Sequence, residues 1–154
     1  MIEVAASRPV WALGLMSGTS LDGVDAAMLL TDGETVEAFG PCGARHYAGG
    51  EIEALTSVHA DWTRYRPARA EADAATLAEA GTEVVRLHAE AVVRLLAGAA
   101  HRPDAPMPAV VGFHGQTVAH APAEGWTWQI GDGAALARAL NRPVVWDFRT
   151  ADMQ

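Results

Sequence analysis

A chain of 154 residues, half of them hydrophobic, is long enough for one domain with a sizeable core, and none of its apolar runs approaches a membrane span. Its net charge is −8, and its 11 basic residues are all arginines scattered along the sequence. That pattern argues against a nucleic-acid footprint, and the absence of lysine excludes a P-loop lysine and Schiff-base chemistry.

The first apolar run, residues 10–16, reads as a buried strand that stops at Ser17-Gly18-Thr19-Ser20, and a second run covers 24–30. Between them lie hydroxyls, glycines and an aspartate, with almost nothing to bury. Gly18 and Gly23 let the backbone turn tightly. Successive N–H groups of Gly18, Thr19, Ser20, Leu21 and Asp22, helped by the hydroxyls, suit phosphate oxygens. Asp22 and Asp25 have the hard oxygen ligands that Mg²⁺ prefers. The stretch is neither a Walker A loop nor a dinucleotide fingerprint, and a polar turn between two antiparallel strands accounts for the same residues.

Asp32-Gly33 is a hairpin signal leading to a third strand at 35–39. Residues 40–50 read as a Gly-rich loop holding Cys42, the only cysteine, which is expected as a small buried or loop residue. A lone cysteine precludes an internal disulfide and fits a reducing cytoplasm, as does the lack of a signal-peptide pattern in residues 1–8. A short helix at 51–59 and a connection at 61–68 precede the strongest helical pattern, 70–97. There Leu77, Val84, His88, Ala91 and Leu95 recur on one side, with Val85, Val92 and Leu96 widening the stripe. His88 on that side is expected as a hydrogen-bonded core residue, and Gly81 as a point of close packing or a break.

After a Pro-rich loop at 102–108, residues 107–113 form a strand that ends in His114-Gly115-Gln116-Thr117. Polar residues at a strand's carboxyl end point toward a ligand cleft, and these offer donors and acceptors suited to sugar hydroxyls. A His114/His120 metal pair lacks a third ligand. A strand at 126–130 leads to Asp132, which is placed either to cap the helix at 134–140 or to contact a ligand at its N-terminus. A final strand, 144–146, delivers Asp147-Phe148-Arg149-Thr150-Ala151-Asp152.

Gly14-Leu15-Met16-Ser17-Gly18-Thr19-Ser20-Leu21-Asp22-Gly23-Val24-Asp25 resembles the N-terminal signature of anhydro-N-acetylmuramic acid kinases. Gly112-Phe113-His114-Gly115-Gln116-Thr117-Val118 resembles that family's G-x-H-G-Q-T segment, and Gln129-Ile130-Gly131-Asp132 is also similar. The segment from Asp147 to Asp152 resembles its D-F-R-x-x-D. The resemblance implies an α/β, actin-like (ribonuclease H-like) ATPase domain of the actin, hexokinase and Hsp70 superfamily. Such a domain has three antiparallel strands followed by alternating helices and strands, and its first β-turn cradles ATP phosphates. It also implies that residues 1–154 are the N-terminal lobe of a two-lobed sugar kinase, the second lobe with its adenosine site lying outside the chain.

The implied reaction converts 1,6-anhydro-N-acetylmuramic acid, water and ATP, with Mg²⁺, to N-acetylmuramic acid 6-phosphate in cell-wall recycling in the cytoplasm, without nucleic acid or membrane as partner. A homodimer is the oligomer implied. Carried over by motif, ATP phosphates fall to Gly18, Thr19, Ser20, Leu21, Asp22, Gly23, Val24 and Asp25, and Mg²⁺ to Asp22 and Asp25. The sugar falls to His114, Gly115, Gln116, Thr117 and Asp132. The catalytic aspartate is Asp152 or Asp147; Asp152 is favoured because it lies further beyond the strand, whereas Asp147 also suits a cap or a partner for Arg149. The alternative to a kinase is a fragment that binds phosphate or sugar without turnover.

Overall fold

The computed structural model describes residues 8–60, 74–101 and 105–153. Three strands come first, β1 (Val10–Ser17), β2 (Gly23–Thr31) and β3 (Val36–His46), and they pair antiparallel in sequence order. Two helices follow, α1 (Gly49–Ala60) and α2 (Ala74–Ala99), then β4 (Val110–Ala121), β5 (Trp126–Ile130), α3 (Gly133–Leu140) and β6 (Val144–Trp146). β4 lies parallel to β1 and to β6, while β5 folds back antiparallel onto the second half of β4. The sheet order β3-β2-β1-β4, with β6 beside β4, is that of an actin-like domain with an added hairpin strand.

Alternation decides which face of the sheet is covered. Leu13, Leu15 and Ser17 of β1 and Val24, Ala26 and Met28 of β2 are buried, whereas Gly14, Met16, Asp25 and Ala27 between them are exposed. The buried face meets Leu55 and Val58 of α1, Val84, Leu87 and Ala91 of α2, and Leu136 of α3 in one continuous core. The opposite face carries exposed Val10, Met16 and Val145.

The hairpin after β2 forms as its Asp-Gly suggests: the Asp32 carboxylate accepts from the Glu34 and Thr35 amides (3.0 and 2.8 Å), and Gly33 has φ +99°. Two expectations need correction. Residues 40–46 are strand, not loop. β3 is an edge strand, which tolerates Pro41, and Gly40 is required by contact, since a Cβ there would lie 2.8 Å from the Trp11 ring. Cys42 accordingly sits exposed on this strand, neither buried nor in a loop.

The second correction concerns β4, which does not stop at Phe113 but runs on through His114-Gly115-Gln116-Thr117 to Ala121. It carries an extra residue against β1 between Phe113 and Gln116, and another against β5 between Thr117 and Ala119. Gly115, at φ +71° and with Ile130 O where a Cβ would be, makes the first bulge possible. A bulge breaks the period of two, so the alternation that would have marked the strand is absent.

α2 has the expected stripe, with Leu87 added to its buried face, and Gly81 faces the backbone of Gly131. The expected connection at 61–68, the start of the helix at 70–73 and the first residues of the loop at 102–108 lie outside the described residues. Among the described residues no helix is long and apolar enough to cross a membrane.

Candidate functional site

β1, β4 and β6 run parallel, and the carboxyl ends of β1 and β6 flank the bulge at His114-Gly115 in the middle of β4. β1 ends at Ser17 opposite Gln116, and β6 ends at Trp146 opposite Phe113. The turn after β1, the His114-Gly115 bulge of β4 and the segment from Asp147 to Asp152 after β6 are thereby brought together. Three stretches far apart in sequence converge where ligands bind in sheets of this kind.

The turn at 18–22 is closed by the Leu21 amide donating to Gly18 O (3.3 Å), and Leu21 adopts φ +52°. Thr19, Ser20 and Asp22 are exposed, whereas Leu21 is buried in the core and anchors the turn, so the linker does have something to bury. Val24 is wholly buried, main chain and side chain alike. Gly23 leaves the turn at φ +155° with no room for a Cβ, which would lie 2.4 Å from Arg45 O. Ser20 donates to Asp22 Oδ1 (2.8 Å), and this hydroxyl above all holds the Asp22 carboxyl below its ordinary pKa. Asp25 opposes Met16 on the open face of the sheet. Asp22 and Asp25 are two exposed carboxylates rather than a closed cage. Among the described residues no group of three His, Cys, Asp or Glu is poised to hold a metal. Two carboxylates fit Mg²⁺, which takes one or two and completes its shell with water and phosphate oxygens.

β3 closes the turn from the side, a role hidden by reading its second half as loop. Asp22 O accepts from the Tyr47 amide (3.2 Å) and from His46 Nδ1 (3.3 Å). The Tyr47 hydroxyl reaches Gln116 Oε1 (3.4 Å). Beneath lie Ser17 and His88, both buried. His88 Nδ1 donates to Val84 O (2.7 Å), and its Nε2 faces the Ser17 hydroxyl (3.3 Å), which donates to Gly115 O (3.2 Å). Burial pushes the His88 pKa down to about 4, so the ring is neutral near pH 7, and it stacks edge-on against Phe113. The core role expected for His88 is what the structure shows.

His114 is half-buried, hydrogen-bonds Gly115 O through Nδ1 (3.0 Å), and lies 6.3 Å from the Phe148 ring. Together with Gly115, Gly131, Trp146 and Asp147 it lines a cavity of about 40 Å³. Gln116 (1 % exposed) and Thr117 (8 %) are buried behind that cavity rather than presented to it. His120 pairs with Thr127 instead of joining His114. Asp132 caps α3, accepting from the Ala134 amide (2.8 Å), while its other oxygen stays exposed 3.7 Å from Arg138. A Cβ on Gly133 would strike the Trp146 ring, so α3 packs directly on the end of β6.

Asp147 has φ +57°, and its Oδ1 accepts from Thr150 (2.6 Å), shaping the turn that leaves β6. Asp152, in the following 3-10 turn, is exposed and lies 3.1 Å from Arg149 Nε. Arg149 therefore pairs with Asp152, not with Asp147.

The sequence model of the anhydro-N-acetylmuramic acid kinase family matches residues 10–154. The chain is 49 % identical over 143 residues to the anhydro-N-acetylmuramic acid kinase of Bradyrhizobium diazoefficiens, covering 93 % of this chain and 38 % of that protein. It is 46 % identical over 151 residues to the enzyme of that name from a Ruegeria species, covering 97 % of this chain and 35 % of the relative. A Rhodopseudomonas palustris enzyme of the same name is 50 % identical over 142 residues, with 92 % and 38 % covered. The chain thus spans little more than a third of the length of these relatives. The three motifs that meet at the strand ends and the match across the whole fold make this chain a member of the anhydro-N-acetylmuramic acid kinase family.

Proposed function

We propose that residues 1–154 form the N-terminal lobe of a cytoplasmic kinase that opens 1,6-anhydro-N-acetylmuramic acid with water and phosphorylates it from ATP for cell-wall recycling. The observation that carries the reading is the meeting of the turn at 18–22 and the segment from Asp147 to Asp152, which follow the ends of β1 and β6, at the His114-Gly115 bulge of the parallel strand between them.

In this reading the amides of the turn bind the transferred phosphate, and Asp22 and Asp25 orient Mg²⁺, which neutralises phosphate charge when bound. His114, Gly115 and the exposed oxygen of Asp132 contact the sugar, while Gln116 and Thr117 support them from behind. Asp152 is the general base: its carboxylate takes a proton from the water that attacks the anomeric carbon, and the bond from that carbon to O6 breaks. The freed O6 then attacks the γ-phosphorus, and the bond to the bridging oxygen of ADP breaks. Asp147, engaged by Thr150, shapes the turn that presents Asp152, and Arg149, 3.1 Å away, orients the Asp152 carboxylate.

The test is ADP release by the chain with ATP, Mg²⁺ and the anhydro-sugar. Asp152→Asn is expected to abolish sugar-dependent turnover, a loss of at least about 10²-fold, and Asp147→Asn to reduce it less. The reverse order would move the base to Asp147. The coverage of little more than a third of the relatives favours a second reading, a lobe that binds phosphate or sugar without turnover. ATP or sugar binding with no ADP release from the unaltered chain would establish that reading.

A further inference from the structure

Gln116 carries no surface role that its burial allows, yet every polar atom of its side chain is engaged. Its Nε2 donates to Gly18 O (2.8 Å) and to Thr117 O (3.2 Å), and its Oε1 receives the Tyr47 hydroxyl (3.4 Å). The first of these bonds crosses 98 residues of sequence to reach the turn that follows β1. Gly18 O thus accepts from both Gln116 and the Leu21 amide, which uses both of its lone pairs. Because a trans peptide is planar, a Gly18 carbonyl held inward forces the Thr19 N–H outward, to the exposed side of the turn. Tyr47 repeats the device at the other end, where its amide fixes Asp22 O.

We infer that Gln116 is a positioning residue that aims the backbone donors of the 18–22 turn, and not a ligand of the sugar. The role of that turn as a phosphate loop rests on the function proposed above, but the clamp itself does not. An amide side chain is what the position needs. Only a group with a donor toward Gly18 O and an acceptor toward Tyr47 satisfies both neighbours, and an unmet partner in a buried site is costly. Gln116→Glu keeps the shape and the acceptor but, when ionised, has no donor.

Hydrogen–deuterium exchange of the 154-residue chain without nucleotide reads the clamp directly. At pH 7.5, Gln116→Glu and Gln116→Met are expected to speed exchange of the peptide covering residues 18–23 about tenfold, one unit in the logarithm of the opening equilibrium, with α3 and β5 within about twofold of wild type. As pH falls, the buried carboxyl of the Glu variant takes up a proton and regains a donor. Its loop protection, corrected for intrinsic rates, then returns toward the wild-type value, while the Met variant stays fast. The ionisable neighbours His88, Asp22 and His46 are common to every variant, so the Met variant and wild type report their share. Tyr47→Phe, which removes one hydroxyl, loosens the same peptide by a smaller factor.

Unchanged loop exchange in both Gln116 variants would overturn the inference, as would a uniform rise over β1, β4 and α2 with no recovery of the Glu variant at low pH. If Gln116→Glu does not fold, Tyr47→Phe decides: exchange of the 18–23 peptide equal to wild type overturns the clamp. Since no nucleotide or sugar is present, a silent ADP assay leaves this result standing, and loss of the clamp leaves the kinase reading standing.

Discussion

Histidine 88 illustrates how a single side chain can carry both packing and pH sensitivity. It is fully buried on α2 and neutral, with Nδ1 bonded to Val84 O and Nε2 toward Ser17. Its folded pKa, about 4, lies below the ordinary 6.5, so between these values the unfolded chain binds more protons than the folded one. Stability from this group is therefore complete above pH 6.5 and is lost as pH falls toward 4. Going from pH 7 to pH 5 is expected to cost about 2 kcal/mol through His88, read as a drop in urea unfolding free energy, and His88→Gln should lose most of that dependence. The carboxyl of Glu51, drawn down to about 2 chiefly by Arg45, contributes only at lower pH, as it is protonated between about 4.5 and 2.

At the scale of elements, the placement of β3 decides the shape of the candidate site. Arg45, at its end, is buried and bonds Glu51 of α1 and Glu90 of α2, while Arg86 of α2 bridges Glu51, Glu83 and Glu90. Glu51 also accepts from the Ala48 amide (2.7 Å), capping α1. One guanidinium thus ties an edge strand to two helices and fixes the neighbouring His46 and Tyr47, which grip Asp22 O. Arg45→Met leaves Glu51 without its main partner. Since Glu90 and Arg86 remain partly in solvent, the expected loss is about 2–3 kcal/mol rather than the full cost of a buried pair, measured by urea unfolding. Glu90→Gln, at the more exposed end, should cost about 1 kcal/mol or less.

At the scale of the whole molecule, one core runs from Leu13 and Val24 through Leu55, Leu87 and Phe113 to Leu136, touching α1, α2 and α3 and both halves of the sheet. No subset of elements keeps a core of its own, so the described fold should unfold as a unit. Far-ultraviolet circular dichroism and tryptophan fluorescence (Trp11 on β1, Trp128 on β5, Trp146 on β6) are expected to report a single coincident midpoint. Two separated midpoints would mean that the β1–β3 ribbon and the β4–β6 part are held together less tightly than this core implies.

Much of this was legible in the residues alone. Apolar runs placed β1, β2 and β6, alternation placed β5 and helical spacing placed α2, the Asp-Gly hairpin and the Asp132 cap followed from local chemistry, and three short motifs named the family. These features depend on near neighbours in sequence, which is why a sequence carries them. The extension of β3 past Gly40-Pro41 and of β4 through its two bulges was hidden, because an edge position and a bulge are defined only by the partner strand. For the same reason Gln116 read as an exposed donor set. Only the tertiary structure buried it under Tyr47 and turned its amide onto Gly18, since a contact spanning 98 residues leaves no periodic trace in the chain.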